Sequence, residues 1–244
     1  MASRASQALA VLLHSPLVGP LTWHVVADRL SSEVADVVVP NFRSVFLCDA
    51  PFNPKIAAVA AVAVGEAHHN GSIVLVGHSM GGLLIPSVMQ ALERPVAGAI
   101  FVDSALPQPG TTWFDQSRPT LAEQLRALAE EGQLPPWYRW FPEELLTAML
   151  PNADLRKRFT GEVPNLPLSY FEEPFLGLST WADQTRCGYI LLSEPYETAA
   201  DAAEEKGSPV TRLNLHHLAI MTEPEEIVTA LRRVLNRMGL TRSS

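Results

Sequence analysis

The pentapeptide Gly77–Gly81 reads Gly-His-Ser-Met-Gly and places a serine between glycines where the hydrophobic pattern changes. The apolar run Ser72–Val76 precedes it and Gly82–Ile85 follows it, which predicts a strand, a sharp turn and a helix. A serine at the apex of such a turn exposes its hydroxyl at the carboxyl edge of a sheet. The next backbone N–H, that of Met80, then lies at a helix N-terminus and can stabilise an oxyanion. We interpret Ser79 as a nucleophile; the alternative is a glycine-rich turn with an incidental serine.

The first half of the chain alternates short apolar runs with helical stretches. Strands are predicted at Ala8–Leu13, Asp36–Val39, Ile73–Val76 and Val96–Val102, and helices at Trp23–Leu30, Lys55–His68 and Gly82–Leu92, with a kink at Pro86. The pattern resumes with strands at Gly188–Leu192 and Pro209–Leu213 and helices at Thr198–Lys206 and Glu225–Met238. Continuous apolar strands alternating with helices predict a parallel sheet covered on both faces.

Residues 104–186 differ in character from the rest of the chain. They hold ten of the twenty prolines and four of the five tryptophans. Helical pieces are predicted at Thr120–Glu131 and Glu143–Leu150, and no clear strand is predicted. Because linkers are poor in tryptophan, we interpret this segment as a helical insertion that divides a core of residues 1–103 and 187–244.

Composition narrows the classes of function. A chain of 244 residues with 47% apolar content can bury one sizeable core. The net charge of −8 and the lack of a basic run argue against nucleic acids and anionic membranes as partners. Cys48 and Cys187 match no metal or redox spacing. The apolar run Ala8–Leu13 is too short for a signal peptide and no transmembrane-length segment occurs, so a cytoplasmic monomer or homodimer is expected.

Several segments together resemble the α/β-hydrolase superfamily, and within it compact serine hydrolase-like proteins of actinobacterial type. They are His14–Pro20 with Trp23, Val74–Ser79, Phe101–Asp103, Leu134–Trp137 and His217–Met221. The resemblance covers most of the chain and implies an α/β-hydrolase fold with about six parallel strands, because the first two of the usual eight are missing. It also implies that residues 104–186 form a helical cap after the sixth strand of the usual count.

The resemblance supplies candidates for the base and the acid. The superfamily order is serine, acid, histidine, so His217 is the expected base, and the adjacent His216 is its competitor. Relatives often carry an aspartate after the seventh strand, where this chain has Tyr196. Two acids are therefore candidates: Asp103 at the end of the sixth strand is the expected one, and Glu194 in the loop after the seventh is the alternative.

The oxyanion hole departs from the usual pattern. Relatives read His-Gly-x after the third strand, and the residue after glycine donates its N–H; here that residue is Pro16, which has none. Met80 N–H remains one donor, and the second is expected from Leu17 N–H or the Ser15 hydroxyl. The resemblance also places His14 and three cap residues, Trp113, Trp137 and Trp140, at the substrate pocket, although the tryptophans could equally be the core of the cap.

These residues predict a serine hydrolase of the carboxylesterase or thioesterase type, acting on a small to medium apolar acyl substrate. The alternative is a non-hydrolytic enzyme of the same fold, a cyclase or lyase of metabolite biosynthesis. A third hypothesis is a binding protein that has lost catalysis. No phosphate loop, dinucleotide fingerprint or metal-ligand spacing is present in the sequence, so no cofactor and no metal are expected.

Overall fold

A computed structural model describes residues 8–33 and 36–240, and its centre is a six-stranded parallel sheet. The strands are β1 (Leu9–Leu13), β2 (Asp36–Val38), β3 (Ile73–His78), β4 (Val96–Val102), β5 (Gln133–Leu134), β6 (Leu166–Pro167), β7 (Arg186–Leu191) and β8 (Val210–Arg212). The main sheet has the order β2-β1-β3-β4-β7-β8. Every residue of β1 and β3 is buried, as expected for strands covered on both faces. The predicted six-stranded parallel sheet is confirmed.

Helices flank the sheet and lie between its strands in the chain. They are α1 (Leu21–Glu33), α2 (Asn53–Glu66), α3 (Met80–Leu83), α4 (Ile85–Ala91), α5 (Trp113–Gln116), α6 (Pro119–Leu128), α7 (Glu143–Met149), α8 (Ala153–Thr160), α9 (Leu168–Phe171), α10 (Glu197–Glu205), α11 (Ala219–Thr222) and α12 (Pro224–Arg237). Helix α1 packs against α11 and α12, and α2 packs against α4. Two strand glycines allow the end of α12 to approach the sheet: a Cβ on Gly188 would lie 2.4 Å from Val234, and one on Gly98 would lie 2.9 Å from Met238.

Two sequence-based predictions about elements are wrong. The expected kinked helix Gly82–Leu92 is two helices, α3 and α4, which meet at Leu84. Pro86 lies in the first turn of α4, where its missing N–H has no intrahelical partner to lose. The segment between β4 and β7, expected to lack strands, contains the antiparallel pair β5 and β6. A two-residue strand has too little hydrophobic pattern to be recognised in a sequence.

The segment between β4 and β7, called here the β4–β7 segment (residues 104–185), contains an aromatic cluster that is continuous with the core of the sheet. The ring of Phe171 is central to it, fully buried on the short helix α9. Four rings lie around it with centroid distances of 5.2 to 5.8 Å, those of Trp113, Phe114, Trp140 and Tyr170. Such aromatic contacts stabilise packing beyond the area they bury.

Two carboxylates of the β4–β7 segment tie it to the rest of the protein. Glu162 Oε2 accepts a hydrogen bond from the N–H of Leu21, the first residue of α1, at 2.9 Å. Glu173 accepts from the N–H groups of Phe52 and Asn53, at 2.7 and 2.8 Å, where α2 begins. Helix N-termini have N–H groups without intrahelical partners and favour negative charge. Since α1 and α2 follow β1 and β2, these bonds hold the segment over the carboxyl edge of the sheet.

No helix among the described residues is both long and apolar enough to cross a lipid bilayer.

The double hydrogen bond of Glu173 predicts a loss of stability in Glu173→Ala. The substitution leaves two N–H groups at the start of α2 without their acceptor, and we expect the free energy of unfolding to fall by about 1–2 kcal/mol. Urea unfolding followed by circular dichroism measures this. The matched control is Glu66→Ala, an exposed carboxylate at the opposite end of α2, which should be neutral or slightly stabilising because the negative charge lies at a helix C-terminus. Equal losses in both variants would contradict the prediction.

Candidate active site

The turn between β3 and α3 holds Ser79 in a strained conformation, with φ of 55° and ψ of −130°. The Ser79 N–H donates to Val102 O at 3.1 Å, which ties the turn to the end of β4. Neighbouring glycines leave no room for side chains: a Cβ on Gly77 would lie 2.5 Å from Gly82 Cα, and one on Gly81 would lie 2.2 Å from Leu13 O. A strained residue held by its surroundings is typical of functional sites.

The Asp103 carboxylate joins three parts of the chain at the end of β4. Its Oδ2 accepts from His217 Nδ1 at 2.8 Å and from Ser193 Oγ at 2.5 Å. Its Oδ1 accepts from the N–H groups of Leu192 and Ser193, at 2.8 and 2.9 Å. Burial would raise the pKa of Asp103, but the hydrogen bonds from His217 and Ser193 outweigh it and lower the pKa. Asp103 is therefore a buried, charged acceptor for the imidazole.

Tyr189 holds the backbone that presents Asp103. Asp103 has a positive φ of 46°, which a residue other than glycine adopts only at a cost. The next residue, Ser104, is fixed on both sides by the buried Tyr189 hydroxyl, which accepts from Ser104 N at 3.2 Å and donates to Ser104 O at 2.6 Å. Sequence analysis identified neither Tyr189 nor Ser193, because both act through contacts about 90 residues apart in the chain.

His78 and Tyr196 contact the His217 ring. His78 Nε2 donates to the carbonyl oxygen of His217 at 2.9 Å, and the two ring centroids are 4.6 Å apart. Burial, reinforced by His217, lowers the pKa of His78 to about 3, so it stays neutral. Tyr196 stacks on His217 with a centroid distance of 5.2 Å and an angle of 11°. The histidine of the Gly-His-Ser turn thus orients the loop that carries His217.

The candidate acids, and the candidate bases, occupy different positions in the structure. Glu194 is exposed at the start of a 3₁₀ helix, Glu194–Tyr196, whereas Asp103 is fully buried against His217. His216 Nε2 lies 3.1 Å from Thr222 Oγ1. The structure therefore brings His217 and Asp103 together beside the Ser79 turn, and it leaves Glu194 outside this group.

The loop after β1 uses its polar groups internally. The Leu17 N–H donates to Ser15 Oγ at 3.2 Å, and the Ser15 hydroxyl keeps its own proton as a donor. His14 is fully buried; its Nδ1 lies 2.8 Å from Ser15 O, and its Nε2 accepts from Phe42 N at 3.2 Å. Burial lowers the pKa of His14 to about 4. His14 thus holds the loop in place, and its expected position in the substrate pocket stays a prediction.

The three tryptophans assigned to the pocket lie in the aromatic interior of the β4–β7 segment. Trp113 and Trp140 pack on Phe171, and Trp140 Nε1 donates to Pro135 O at 2.8 Å. Trp137 contacts the rings of Phe141 and Phe159. These contacts agree with the alternative that the tryptophans form the core of this segment, and their contact with substrate stays a prediction.

A cleft in the described part of the chain lies away from the Ser79 turn, at the opposite end of a strand. This cleft of about 760 Å³ lies at the beginning of β7, lined among others by Trp181, Cys187 and Lys206, and it includes neither Ser79 nor His217. Within residues 8–33 and 36–240, no three His, Cys, Asp or Glu side chains are grouped so that they could hold a metal ion.

Comparisons with known proteins agree with this fold. A model of the alpha/beta hydrolase family matches residues 10–230. A probable esterase of Oryza sativa subsp. indica, PIR7A, is 42% identical over 57 residues; the match spans 23% of this chain and 20% of that protein. An extracellular alpha/beta-hydrolase from a Paenibacillus species has a similar structure, with a TM-score of 0.73, 18% identity and coverage of 93% and 98% of the two chains. A pyrethroid hydrolase from Sphingobium faniae has a TM-score of 0.66, 17% identity and coverage of 95% and 98%.

The two buried histidines predict how stability depends on pH. Burial lowers the pKa of His14 and of His78 from 6.5 to about 4 and about 3, so between these values and 6.5 the unfolded chain binds more protons than the folded one. The free energy of unfolding should therefore fall as pH drops below 6.5, by about 1.4 kcal/mol per pH unit for each histidine.

Urea unfolding at pH 7, 6 and 5 measures this slope. His78→Gln should reduce it by about 1.4 kcal/mol per pH unit, since one of the two proton uptakes is lost. His24→Gln, at an exposed histidine of α1, is the control and should leave the slope unchanged. An unaltered slope in His78→Gln would show that burial of this ring does not contribute to the pH dependence of the free energy of unfolding.

Proposed function

The chain belongs to the alpha/beta hydrolase family, and on this premise we propose that it is a serine hydrolase of the carboxylesterase or thioesterase type. The observation that carries the proposal is the 2.8 Å contact between Asp103 Oδ2 and His217 Nδ1, next to a serine on a strained strand-to-helix turn. A nucleophile, a base and a group that orients the base are the parts that serine catalysis requires.

In the proposed reaction, Ser79 Oγ attacks the acyl carbon while His217 takes its proton. Because His217 Nδ1 is bonded to Asp103, Nε2 is the nitrogen that acts as the base. Asp103 holds this tautomer and stabilises the imidazolium that forms. The imidazolium then protonates the departing alcohol or thiol, leaving an acyl-serine that water hydrolyses with His217 again as base.

Donors for the tetrahedral oxyanion come from two sides of Ser79. The Met80 N–H begins α3, where it has no intrahelical acceptor. The loop after β1 reaches the turn closely enough that a Cβ on Gly81 would clash with Leu13 O, so this loop lies beside α3. Since the Leu17 N–H is bonded to Ser15 Oγ, the Ser15 hydroxyl is the better placed second donor. Met80 and Ser15 would then form the oxyanion hole.

The β4–β7 segment would serve as the cap over this site. Its ties through Glu162 and Glu173 hold it above the carboxyl edge, where Ser79 is only 8% exposed. Its interior is rich in aromatic side chains, which favours an apolar acyl substrate of small to medium size. Two similar proteins are named a probable esterase and a pyrethroid hydrolase, and these names support ester hydrolysis as the reaction.

A non-hydrolytic enzyme of this fold is the second candidate. The observation that favours it is the loop after β1, in which Pro16 has no N–H and the Leu17 N–H is already bonded to Ser15. Loss of one oxyanion donor can cost roughly a hundredfold or more in rate. A protein whose Ser79 reacts with a phosphonate, but which hydrolyses neither p-nitrophenyl esters nor acyl-thioesters of two to ten carbons, would favour this candidate.

Covalent labelling tests the nucleophile directly. Incubation of the wild type with a fluorophosphonate should give one adduct by intact-mass spectrometry, because the activated Ser79 Oγ displaces fluoride. Ser79→Ala should give no adduct. Ser87→Ala, at a buried serine of α4 whose hydroxyl donates to Leu84 O, is the control and should be labelled like the wild type. A folded wild type that forms no adduct would overturn the proposed function.

Replacement of each candidate acid tests the proposed triad. Asp103→Asn keeps the shape but favours the wrong imidazole tautomer, and we expect kcat for a p-nitrophenyl ester to fall by about 10³–10⁴-fold. Glu194→Gln, at an exposed carboxylate of the same region, should stay within about twofold of the wild type, since it makes no contact with His217 on which the reaction depends. The reverse pattern would assign the acid to Glu194.

A further inference from the structure

Tyr196 stands where the superfamily resemblance leads one to expect an aspartate, and the structure places it against both reacting side chains. It ends the 3₁₀ helix Glu194–Tyr196, and its N–H donates to Ser193 O at 3.2 Å. Its ring stacks on His217 at 5.2 Å and 11°. Its hydroxyl lies near Ser79, whose side chain acts to lower the pKa of the phenol. One residue therefore stacks its ring on the base and brings its hydroxyl near the nucleophile.

The hydroxyl of Tyr196 stays protonated at neutral pH. Burial raises its pKa to about 12, the nearby Ser79 side chain acts in the opposite direction, and the negative charge of Asp103 adds to the increase. A neutral phenol can both donate to Ser79 Oγ and accept from it. It can therefore hold the serine hydroxyl in one orientation without adding a charge to the site.

The ring of Tyr196 has a second consequence once a proton moves. When His217 takes the proton of Ser79, a cation forms within about 6 Å of the face of an aromatic ring, the arrangement of a cation–π interaction. Asp103 contacts the edge of the imidazole through Nδ1, so ring face and carboxylate stabilise the same cation from different directions.

We propose that Tyr196 is a positioning residue of the Ser79–His217 pair, whose hydroxyl orients the nucleophile and whose ring stabilises the protonated base. The inference rests on the proposed serine chemistry. Strand order explains why a tyrosine can stand where an aspartate was expected. Asp103 at the end of β4 supplies the carboxylate, so the loop after the neighbouring β7 can supply an aromatic ring instead.

Several titratable side chains surround His217 and affect the pH profile of labelling. Asp103 faces its Nδ1 from the end of β4, and His78 faces its ring from β3. Tyr196 covers the ring from the loop after β7, and His216 precedes it in the chain. Burial lowers the pKa of both His78 and His216, which keeps them neutral above pH 6.5.

Two substitutions separate the hydroxyl from the ring. Tyr196→Phe keeps the stacking and removes the hydroxyl that we propose orients Ser79, and we expect the rate of fluorophosphonate labelling to fall about 3–10-fold with an unchanged pH midpoint. Tyr196→Leu removes both, and we expect a lower rate together with a pH midpoint of labelling that falls by about 0.5 unit or more, because the protonated base loses its aromatic neighbour. Tyr138→Phe, in the β4–β7 segment, is the control and should match the wild type.

Fluorophosphonate labelling of the wild type distinguishes a failure of this inference from a failure of the proposed function. If the wild type is not labelled, the proposed function fails. If the wild type is labelled, the inference is overturned by Tyr196→Phe reacting at the wild-type rate or by Tyr196→Leu keeping the wild-type midpoint. Thermal unfolding of both variants is measured alongside, and Tyr196→Phe remains decisive if Tyr196→Leu does not fold. A role limited to packing would lower the melting temperature without moving the midpoint.

Discussion

The Asp103 carboxylate is the interaction on which the rest of the site depends. It is buried at the end of β4 and accepts four hydrogen bonds, two from backbone N–H groups, one from Ser193 Oγ and one from His217. A buried charge is tolerated only when its acceptor oxygens are satisfied in this way. The same bonds join the end of β4 to the loop after β7 and to the loop after β8. The interactions that orient His217 therefore also hold these two loops together.

Strain on either side of this carboxylate is held by buried neighbours. Ser79 and Asp103 both have positive φ angles, at the ends of adjacent strands. Ser79 is held by the close approach of glycine backbones, and the residue after Asp103 by the two hydrogen bonds of the Tyr189 hydroxyl. The packed core around both residues provides the energy that maintains these conformations.

The β4–β7 segment is attached to this edge by charges placed at helix N-termini. Glu162 and Glu173 each accept from N–H groups that α1 and α2 leave unpaired. The aromatic cluster around Phe171 joins the hydrophobic core of the sheet, which gives the segment a second attachment to the rest of the protein.

The sequence by itself determined the sheet and the position of the serine. Short continuous apolar runs such as Val96–Val102, alternating with helical segments, are typical of buried parallel strands, and the glycines around Ser79 favour a tight turn. These are local signals carried by neighbouring residues. Tertiary structure decided which carboxylate contacts His217, because the linear chain favours Asp103 over Glu194 only slightly, and strand order is what brings Asp103 to the imidazole. It also decided the places of Tyr189, Ser193 and Tyr196, whose partners lie some 20 to 120 residues away. Contacts over such distances depend on how the strands pack, and no local pattern records them.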